Sequence, residues 1–267
     1  MTETGPVGVG LAPLGGACAV AVALLFIALA LYARRTGRLA TVDSWWGPAF
    51  VVVAVVALVL GGGDLPRRVV LAVLATAWGI RLGWHIHRRN AGREDPRYRR
   101  LLERTPGGFV RVALTRVFVP QAVLVWVIST PLQVSAASGP GVRWVLVLGV
   151  VVWAVGYGFE AVGDAQLARF KADPDNHGRL MDRGLWSWTR HPNYFGDACV
   201  WWGLYLVAAS AWPGVCTVAS PAIMTALLVW GSGVRMTERA MAGRPGWTAY
   251  AARTSVFLPR PPRRRSA

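Results

Sequence analysis

The stretch Arg190-His-Pro-Asn-Tyr-Phe-Gly-Asp197 holds five unlike polar side chains within eight residues. Pro192 disfavours helical geometry at the residue before it and suits the first turn of a helix. The stretch therefore predicts a helix that begins just after Arg190 and His191. Free N–H groups and a positive dipole end at a helix N-terminus bind phosphate well, and an adjacent guanidinium strengthens that binding.

The other polar residues of this stretch suit the remaining parts of a nucleotide. Asn193, Tyr194 and Asp197 supply an amide, a phenol and a carboxylate, which can bind a ribose, an amide or an adenine edge. A helix start capped by Thr189 or Asn193 is the simpler interpretation. Capping alone does not require so many different groups.

Two further groups of charged residues flank this stretch in the sequence. Glu160, Asp164 and Lys171 fall on one helix face. A salt-bridged surface helix would explain them, but Glu160 is flanked by apolar residues, where an unpaired carboxylate is costly. Arg235 and Glu238 lie one turn apart and can pair with each other.

The N-terminal half carries fewer groups that could do chemistry. Asp43 follows Thr41-Val, where it or Ser44 can cap a helix or face an internal cavity. Arg81 and His85 share one helix face, and Arg81 lies so deep in an apolar run that an internal anionic partner is expected. The segment from Glu94 to Tyr98 is expected to be a solvated polar turn.

The elements that position these residues are expected to be membrane helices. The chain has 267 residues, of which 54% are hydrophobic and 16% charged, more apolar side chain than one soluble core needs. A spanning helix needs roughly 20 mainly apolar residues. Such runs occur at Leu14–Tyr32, Trp45–Leu60, Val69–His85, Val117–Leu132, Val142–Val162, Asp197–Trp212 and Val215–Trp230. We expect an all-α, polytopic membrane bundle of about seven spans, or six with one re-entrant segment.

The net charge of +16 is distributed as in a membrane protein rather than a nucleic-acid-binding protein. Arginines concentrate after the first and third spans and at the C-terminus, so all would lie on one side, as the positive-inside rule requires. The N-terminus is then expected outside and the C-terminus in the cytoplasm. Residues 1–259 are expected to form a single transmembrane domain, and residues 260–267 a basic disordered tail.

Several of these segments together resemble DUF1295, a family of bacterial membrane proteins related to steroid 5-alpha-reductases. The matching segments are Val42-Asp-Ser-Trp-Trp-Gly47, Arg81-Leu-Gly-Trp-His85, Glu94-Asp-Pro-Arg-Tyr98, the Glu160/Asp164/Phe170-Lys171 helix, Arg190-His-Pro-Asn-Tyr-Phe-Gly-Asp197, and the ending with Tyr250 and Thr254-Ser-Val-Phe-Leu-Pro259. The Arg190–Asp197 segment is the most specific, and it is also similar to the corresponding segment of sterol reductases.

The resemblance implies a membrane reductase that uses NADPH to reduce an electron-poor C=C bond of a lipid, with the substrate on the side of the N-terminal half and the cofactor bound by residues 140–259. The implied cofactor residues are Glu160, Asp164, Lys171, Arg190, His191, Asn193, Tyr194, Asp197, Arg235 and Glu238. Steroid reductases donate the proton with a Tyr and a Glu. Asp43 would replace the Glu, and either His85 or Tyr98 would replace the Tyr. No metal, nucleic acid or obligate protein partner is implied, and the location would be the bacterial inner membrane.

Two other classes of protein remain open. Isoprenylcysteine and phospholipid methyltransferases carry a similar Arg-His-Pro-x-Tyr segment and bind S-adenosylmethionine. Asn193 to Asp197 and the segments at Arg81 and Glu94 favour the reductase. A transporter should place polar groups near the midplane of the membrane, whereas the polar groups here gather near predicted helix ends.

Overall fold

The computed structural model describes residues 9–90, 92–231 and 233–261, and this part of the chain is built from helices. The α-helices are α1 (Leu11–Thr36), α2 (Thr41–Leu60), α3 (Leu65–Asn90), α4 (Pro96–Arg104), α5 (Gly108–Val112), α6 (Val119–Ile128), α7 (Thr130–Ala136), α8 (Arg143–Ala172), α9 (Pro192–Ala209), α10 (Ala219–Val229), α11 (Val234–Met241) and α12 (Trp247–Arg253). A π-helical segment, Ala113–Phe118, joins α5 to α6. Most of the predicted basic tail, residues 262–267, lies outside the described residues.

Six helical segments of the described chain are long and apolar enough to cross a membrane. They are Leu11–Thr36, Thr41–Leu60, Leu65–Asn90, Gly108–Ile128, Arg143–Ala172 and Gly214–Met241. The all-α, polytopic membrane architecture predicted from the sequence is therefore confirmed. The predicted span Asp197–Trp212 coincides with α9, which is not among the six because its first turns carry polar residues such as Asn193 and Asp197.

The fourth span begins and ends earlier than its hydropathy predicts. The helical segment starts at Gly108, after Gly107 with its left-handed φ of 120°. Arg111 and Arg116 lie within the span. They are tolerated there because long basic side chains can reach the membrane interface from inside a helix. The span ends at Ile128, and Pro131 then lies in the first turn of the separate helix α7.

The chain divides into two compact units. Unit 1 comprises residues 1–146 and 207–220, and unit 2 comprises residues 147–206 and 221–267. In unit 1, α2 and α3 pack with their backbones in close contact at glycines. A Cβ atom on Gly47 would lie 2.4 Å from the carbonyl oxygen of Gly79, and one on Gly83 would lie 2.8 Å from the carbonyl oxygen of Ser44. Close packing through small residues is typical of membrane helices.

In unit 2, α8 and α9 cross at glycines spaced seven residues apart. Gly149, Gly156 and Gly163 are buried on α8. Gly156 and Gly149 face Gly196 and Gly203 of α9, where a Cβ atom would lie 2.4 Å from the backbone nitrogen of Glu160 and 2.5 Å from that of Trp153, and Gly163 faces Pro192. A seven-residue repeat keeps one side of each helix toward its partner. The crossing brings the polar residues of α8 to the start of α9.

Candidate functional site

The first group of interacting polar residues lies in unit 1 and consists of Asp43, Arg97 and Tyr98, named here the Tyr98 site. The Tyr98 phenol donates a hydrogen bond to Asp43 Oδ1 over 2.6 Å. Arg97 Nη2 donates to Asp43 Oδ2 over 3.1 Å. The Asp43 side chain is 18% exposed, so its charge is shared between a phenol and a guanidinium at the membrane boundary.

The segment that supplies Tyr98 and Arg97 is fixed by its own acidic residues. Glu94 accepts hydrogen bonds from the backbone N–H groups of Leu39 and Ala40, over 2.6 and 3.0 Å, just before α2. Asp95 caps α4 by accepting a hydrogen bond from the backbone N–H of Arg97. The prediction of a solvated turn from Glu94 to Tyr98 was wrong. The Glu94 and Asp95 carboxylates accept hydrogen bonds from backbone N–H groups that the starts of α2 and α4 leave without partners.

The Tyr98 phenol is held in its protonated form. Burial raises its pKa above the usual range, and the charge and hydrogen bond of Asp43 raise it further, whereas the charge of Arg97 lowers it. For Asp95, burial raises the pKa, but the hydrogen bonds and charge of Arg97 outweigh burial and the pKa is lowered. A protonated phenol therefore lies close to the ionised side chains of Arg97 and Asp95 at neutral pH.

His85, the other donor predicted from the sequence, lies on α3 two residues beyond Gly83. It is half-buried, as is Arg81 one turn earlier. The close packing of Gly83 against the backbone of Ser44 brings this part of α3 to the first turn of α2. His85 stays a predicted donor.

The second group lies in unit 2, at the start of α9, and is named here the α9 site: Asp164, Arg190, His191, Asn193, Tyr194 and Glu238. As predicted, Arg190 and His191 come just before the helix, which begins at Pro192. Arg190 Nε and Nη2 donate to the two carboxylate oxygens of Glu238, over 3.0 and 2.7 Å. This two-pronged pairing suits the planar guanidinium.

The same arginine also holds the C-terminal segment. Arg190 Nη1 donates to the carbonyl oxygens of Ala251 and Thr254, each over 2.8 Å, and the Arg190 backbone N–H donates to Ser255. The guanidinium lies over the Trp247 ring, 5.5 Å from its centroid. Arg190 is 8% exposed, so its donors are used inside the protein rather than left for a phosphate.

His191 completes the network around Glu238. Its Nε2 lies 2.8 Å from Glu238 Oε1, and since a carboxylate only accepts, Nε2 carries the hydrogen. The ring stacks on Tyr194 with centroids 5.5 Å apart. Burial lowers the pKa of His191 below its usual value; the hydrogen bond and charge of Glu238 partly offset burial, and the charge of Arg190 lowers the pKa further. Glu238 pairs with Arg190 and His191, which its spacing from Arg235 did not predict.

The remaining predicted cofactor residues divide into a buried and an exposed set. Asn193 Nδ2 donates to Asp164 Oδ1 over 3.1 Å. Asp164, Glu160 and Asp197 are buried, whereas Lys171 and Arg235 are exposed. The structure thus brings Asp164 together with Asn193 at the crossing of α8 and α9.

Two neighbours of the α9 site, Tyr250 and Thr254, were given no site role from the sequence. Tyr250 donates to the carbonyl oxygen of Trp186 over 2.7 Å. The Thr254 hydroxyl is buried and has no hydrogen-bond partner within the described part of the chain. Tyr250 thus pairs with a residue 64 positions earlier in the chain, which spacing in the sequence cannot predict.

The fold and these sites define an all-α, polytopic integral membrane protein with polar sites at helix ends. A family model described as "Protein of unknown function (DUF1295)" matches residues 29–254. The chain belongs to this family, and the matched region includes every residue of the Tyr98 site and the α9 site.

A curated relative from fission yeast is also similar to this chain. It is described as "Uncharacterized protein C594.04c" of Schizosaccharomyces pombe and is 22% identical over 222 residues, which cover 73% of this chain. The chain spans 64% of the relative's own length. No solved structure matches the chain.

Proposed function

We propose that this protein is a membrane-embedded reductase that uses NADPH to reduce an activated C=C bond of a lipid. The Tyr98 site is the observation that carries the proposal. Reduction of an enone develops negative charge on the carbonyl oxygen, which needs a hydrogen-bond donor aimed at it. Tyr98 is a protonated phenol held 2.6 Å from a carboxylate. A methyl transfer from S-adenosylmethionine has no comparable need for a proton donor.

In the proposed reaction, Tyr98 gives its proton to the carbonyl oxygen of the substrate while a hydride reaches the β carbon. Asp43 and Arg97 position the phenol, and the phenolate then recovers a proton from water. The enol formed in this way tautomerises to the saturated ketone as its O–H proton is lost and a proton from water binds the α carbon, so each turnover consumes one hydride and one proton. His85 remains the alternative donor.

The α9 site has a donor set that fits the nucleoside parts of NADPH, which would supply the hydride. Asn193 and Asp164 offer an amide and a carboxylate for a ribose or the carboxamide. The buried Thr254 hydroxyl, without a partner in the described chain, has hydrogen-bonding capacity to spare. Glu160, Tyr194 and Asp197 complete the polar surroundings.

The phosphates would bind elsewhere than at Arg190. Its guanidinium is directed at Glu238 and two carbonyl oxygens, so its proposed role is to hold Glu238, His191 and the C-terminal segment in place. The exposed cations Lys171 and Arg235 are the proposed phosphate partners. The proposal thus changes the role of Arg190 from a phosphate ligand to a positioning residue.

The setting of the proposed enzyme follows from its charge. Basic loops after α1 and α3 would face the cytoplasm and its anionic lipids, with the N-terminus outside and the C-terminus in the cytoplasm of a bacterial inner membrane. The substrate would be a lipid enone, for which a steroid, a polyprenoid, a fatty enoyl or a quinone-like compound fits equally well. No protein partner is required.

A cofactor titration tests the proposal. The detergent-purified protein is titrated with NADPH, NADH and S-adenosylmethionine while tryptophan fluorescence is followed. We expect saturable quenching by NADPH that is weakened at least tenfold in Asn193→Ala and Asp164→Ala, a loss of about 1.4 kcal/mol. Asn176→Ala is the matched control, because the Asn176 amide donates to Asp173 in a surface turn. Binding of S-adenosylmethionine alone would contradict the reductase and indicate a methyltransferase instead.

A further inference from the structure

The segment after α12, residues 255–260 and named here the 255–260 segment, runs beside the residues that precede α9. The Arg190 backbone N–H donates to the carbonyl oxygen of Ser255 over 2.8 Å. The Arg260 backbone N–H donates to the carbonyl oxygen of Trp188 over 3.0 Å. Hydrogen bonds at both of its ends therefore fix this segment to the start of α9.

The outer side of this pair of segments is apolar. Trp188, Val256 and Leu258 are 45%, 42% and 57% exposed, and they lie outside the six candidate spans. Phe257, between the latter two, instead contacts the Phe195 ring of α9. Exposed large apolar side chains that are grouped together outside a span indicate a surface that another apolar phase covers.

This apolar surface continues the lipid-facing side of the fifth candidate span. The exposed apolar residues of α8 recur every three or four positions and so share one helix face: Leu148, Val151, Val155 and Val162. Phe159 falls in the same row. Its ring lies 5.1 Å from that of Phe195, and the Phe195 ring lies 6.0 Å from that of Phe257. A row of three aromatic rings thus joins the face that meets acyl chains to the 255–260 segment.

Positive charge follows the apolar residues directly. Arg260 is exposed, and the sequence continues as Pro-Pro-Arg263-Arg-Arg265, whose arginines lie outside the described residues. Four arginines within six residues and no acidic residue among them suit an anionic lipid surface, which attracts each such charge by about 1 kcal/mol. Tryptophan beside them is typical of the membrane interface. Charge and apolar surface together favour a bilayer over a soluble protein as the partner.

We propose that the 255–260 segment and Trp188 form a membrane-surface anchor that binds anionic phospholipid. Trp188, Val256 and Leu258 enter the boundary between headgroups and acyl chains. Arg260 and the arginines after it pair with the headgroup phosphates. Because the segment is hydrogen-bonded to Arg190, the anchor also holds the start of α9 at the surface of the bilayer. The inference does not depend on the reductase, since the lipid here is a binding partner and not a substrate.

Spin labels test where the segment lies. A variant without Cys18, Cys199 and Cys216 receives one cysteine, by Leu258→Cys or by Asp175→Cys, and the full chain is reconstituted in phosphatidylcholine nanodiscs. Collisions of the nitroxide with oxygen, which concentrates in lipid, are compared with collisions with a water-soluble nickel chelate. The label at position 258 should favour oxygen. The label at position 175, in an exposed polar turn after α8, should favour nickel. Equal preference for nickel at both positions would overturn the inference.

A second comparison tests the charge. Replacing part of the phosphatidylcholine by phosphatidylglycerol should raise the ratio of oxygen to nickel collisions at position 258 by about twofold or more. Substitution of glutamine for Arg260, Arg263, Arg264 and Arg265 together should abolish that rise. Arg179→Gln with Arg183→Gln, the matched control at two exposed arginines of the same unit, should retain it. A rise of equal size in all three proteins, or no rise in the chain with all its arginines, would overturn the pairing with anionic headgroups.

Discussion

Two kinds of group share the charge of Asp43 in the Tyr98 site: a phenol and a guanidinium. A carboxylate at a membrane boundary is stable only with such partners. The arrangement also keeps Tyr98 protonated at neutral pH. The phenol therefore has a proton to donate once a substrate oxygen replaces Asp43 as the acceptor of its hydrogen bond.

His191 makes the stability of unit 2 depend on pH. Its pKa is lowered by burial, so the unfolded chain binds a proton more readily than the folded protein. The contribution of His191 to the free energy of unfolding should therefore be complete above a pH of about 6.5. It should fall as the pH drops below that value, by an amount on the order of 1 kcal/mol per unit of pKa shift.

The measurement is the thermal unfolding temperature of the detergent-solubilised protein at a pH of about 7.5 and about 5.5, on either side of the ordinary histidine pKa. His191→Gln keeps an N–H donor for Glu238 but does not titrate, so it should lose most of the acid sensitivity. His87→Gln, at an exposed histidine on α3, should behave as the wild type. Equal acid sensitivity in all three proteins would contradict the assignment.

At this scale, the sequence predicted residue types better than partners. Pro192 was sufficient to place Arg190 and His191 at the start of a helix. The sequence did not predict that Arg190 would be engaged by Glu238 and the C-terminal carbonyls, because those partners lie 48 to 64 residues away. The hydrogen bonds of Glu94 were not predicted for the same reason, because its partners Leu39 and Ala40 lie 55 and 54 residues earlier in the chain.

The crossing of α8 and α9 is the element on which the α9 site depends. Gly196→Ala should place a Cβ atom 2.4 Å from the Glu160 backbone nitrogen. Overpacking of this kind costs about 1–3 kcal/mol, so the unfolding temperature should fall by several degrees and NADPH binding should weaken with it.

Gly158→Ala is the control on α8, because no atom lies within 4 Å of its Cβ position. Alanine favours a helix over glycine by up to about 1 kcal/mol, so this variant should be as stable as the wild type or more stable. Equal destabilisation by both substitutions would show that the glycines of these helices do not act through close packing.

Hydrophobic runs predicted most of these helices because a membrane helix must satisfy its backbone internally and face lipid along most of its length. The short helices were less predictable. The helix α4 carries four arginines and its Tyr98 is only half-buried, so hydropathy did not predict the helix that carries Tyr98. The π-helical segment before α6 likewise has no hydropathic signature.

At the scale of the whole molecule, the distribution of arginine predicts its orientation in the membrane. Single cysteines are introduced by Gly62→Cys and Arg100→Cys into a variant without Cys18, Cys199 and Cys216. An impermeant maleimide applied to intact bacterial cells should label the first position, and the second only after permeabilisation. The reverse labelling would contradict the proposed orientation.

The central claim is that this member of the DUF1295 family reduces a lipid with NADPH. The most direct test incubates the purified protein with NADPH deuterated at the nicotinamide C4 and lipids from the host membrane, and follows deuterium in the lipid fraction by mass spectrometry. We predict a lipid that gains one deuterium and one proton. Tyr98→Phe should lower the rate by about a hundredfold or more without changing NADPH affinity. NADPH binding with no deuterium in any lipid enone supplied, or equal transfer in Tyr98→Phe, would contradict the account.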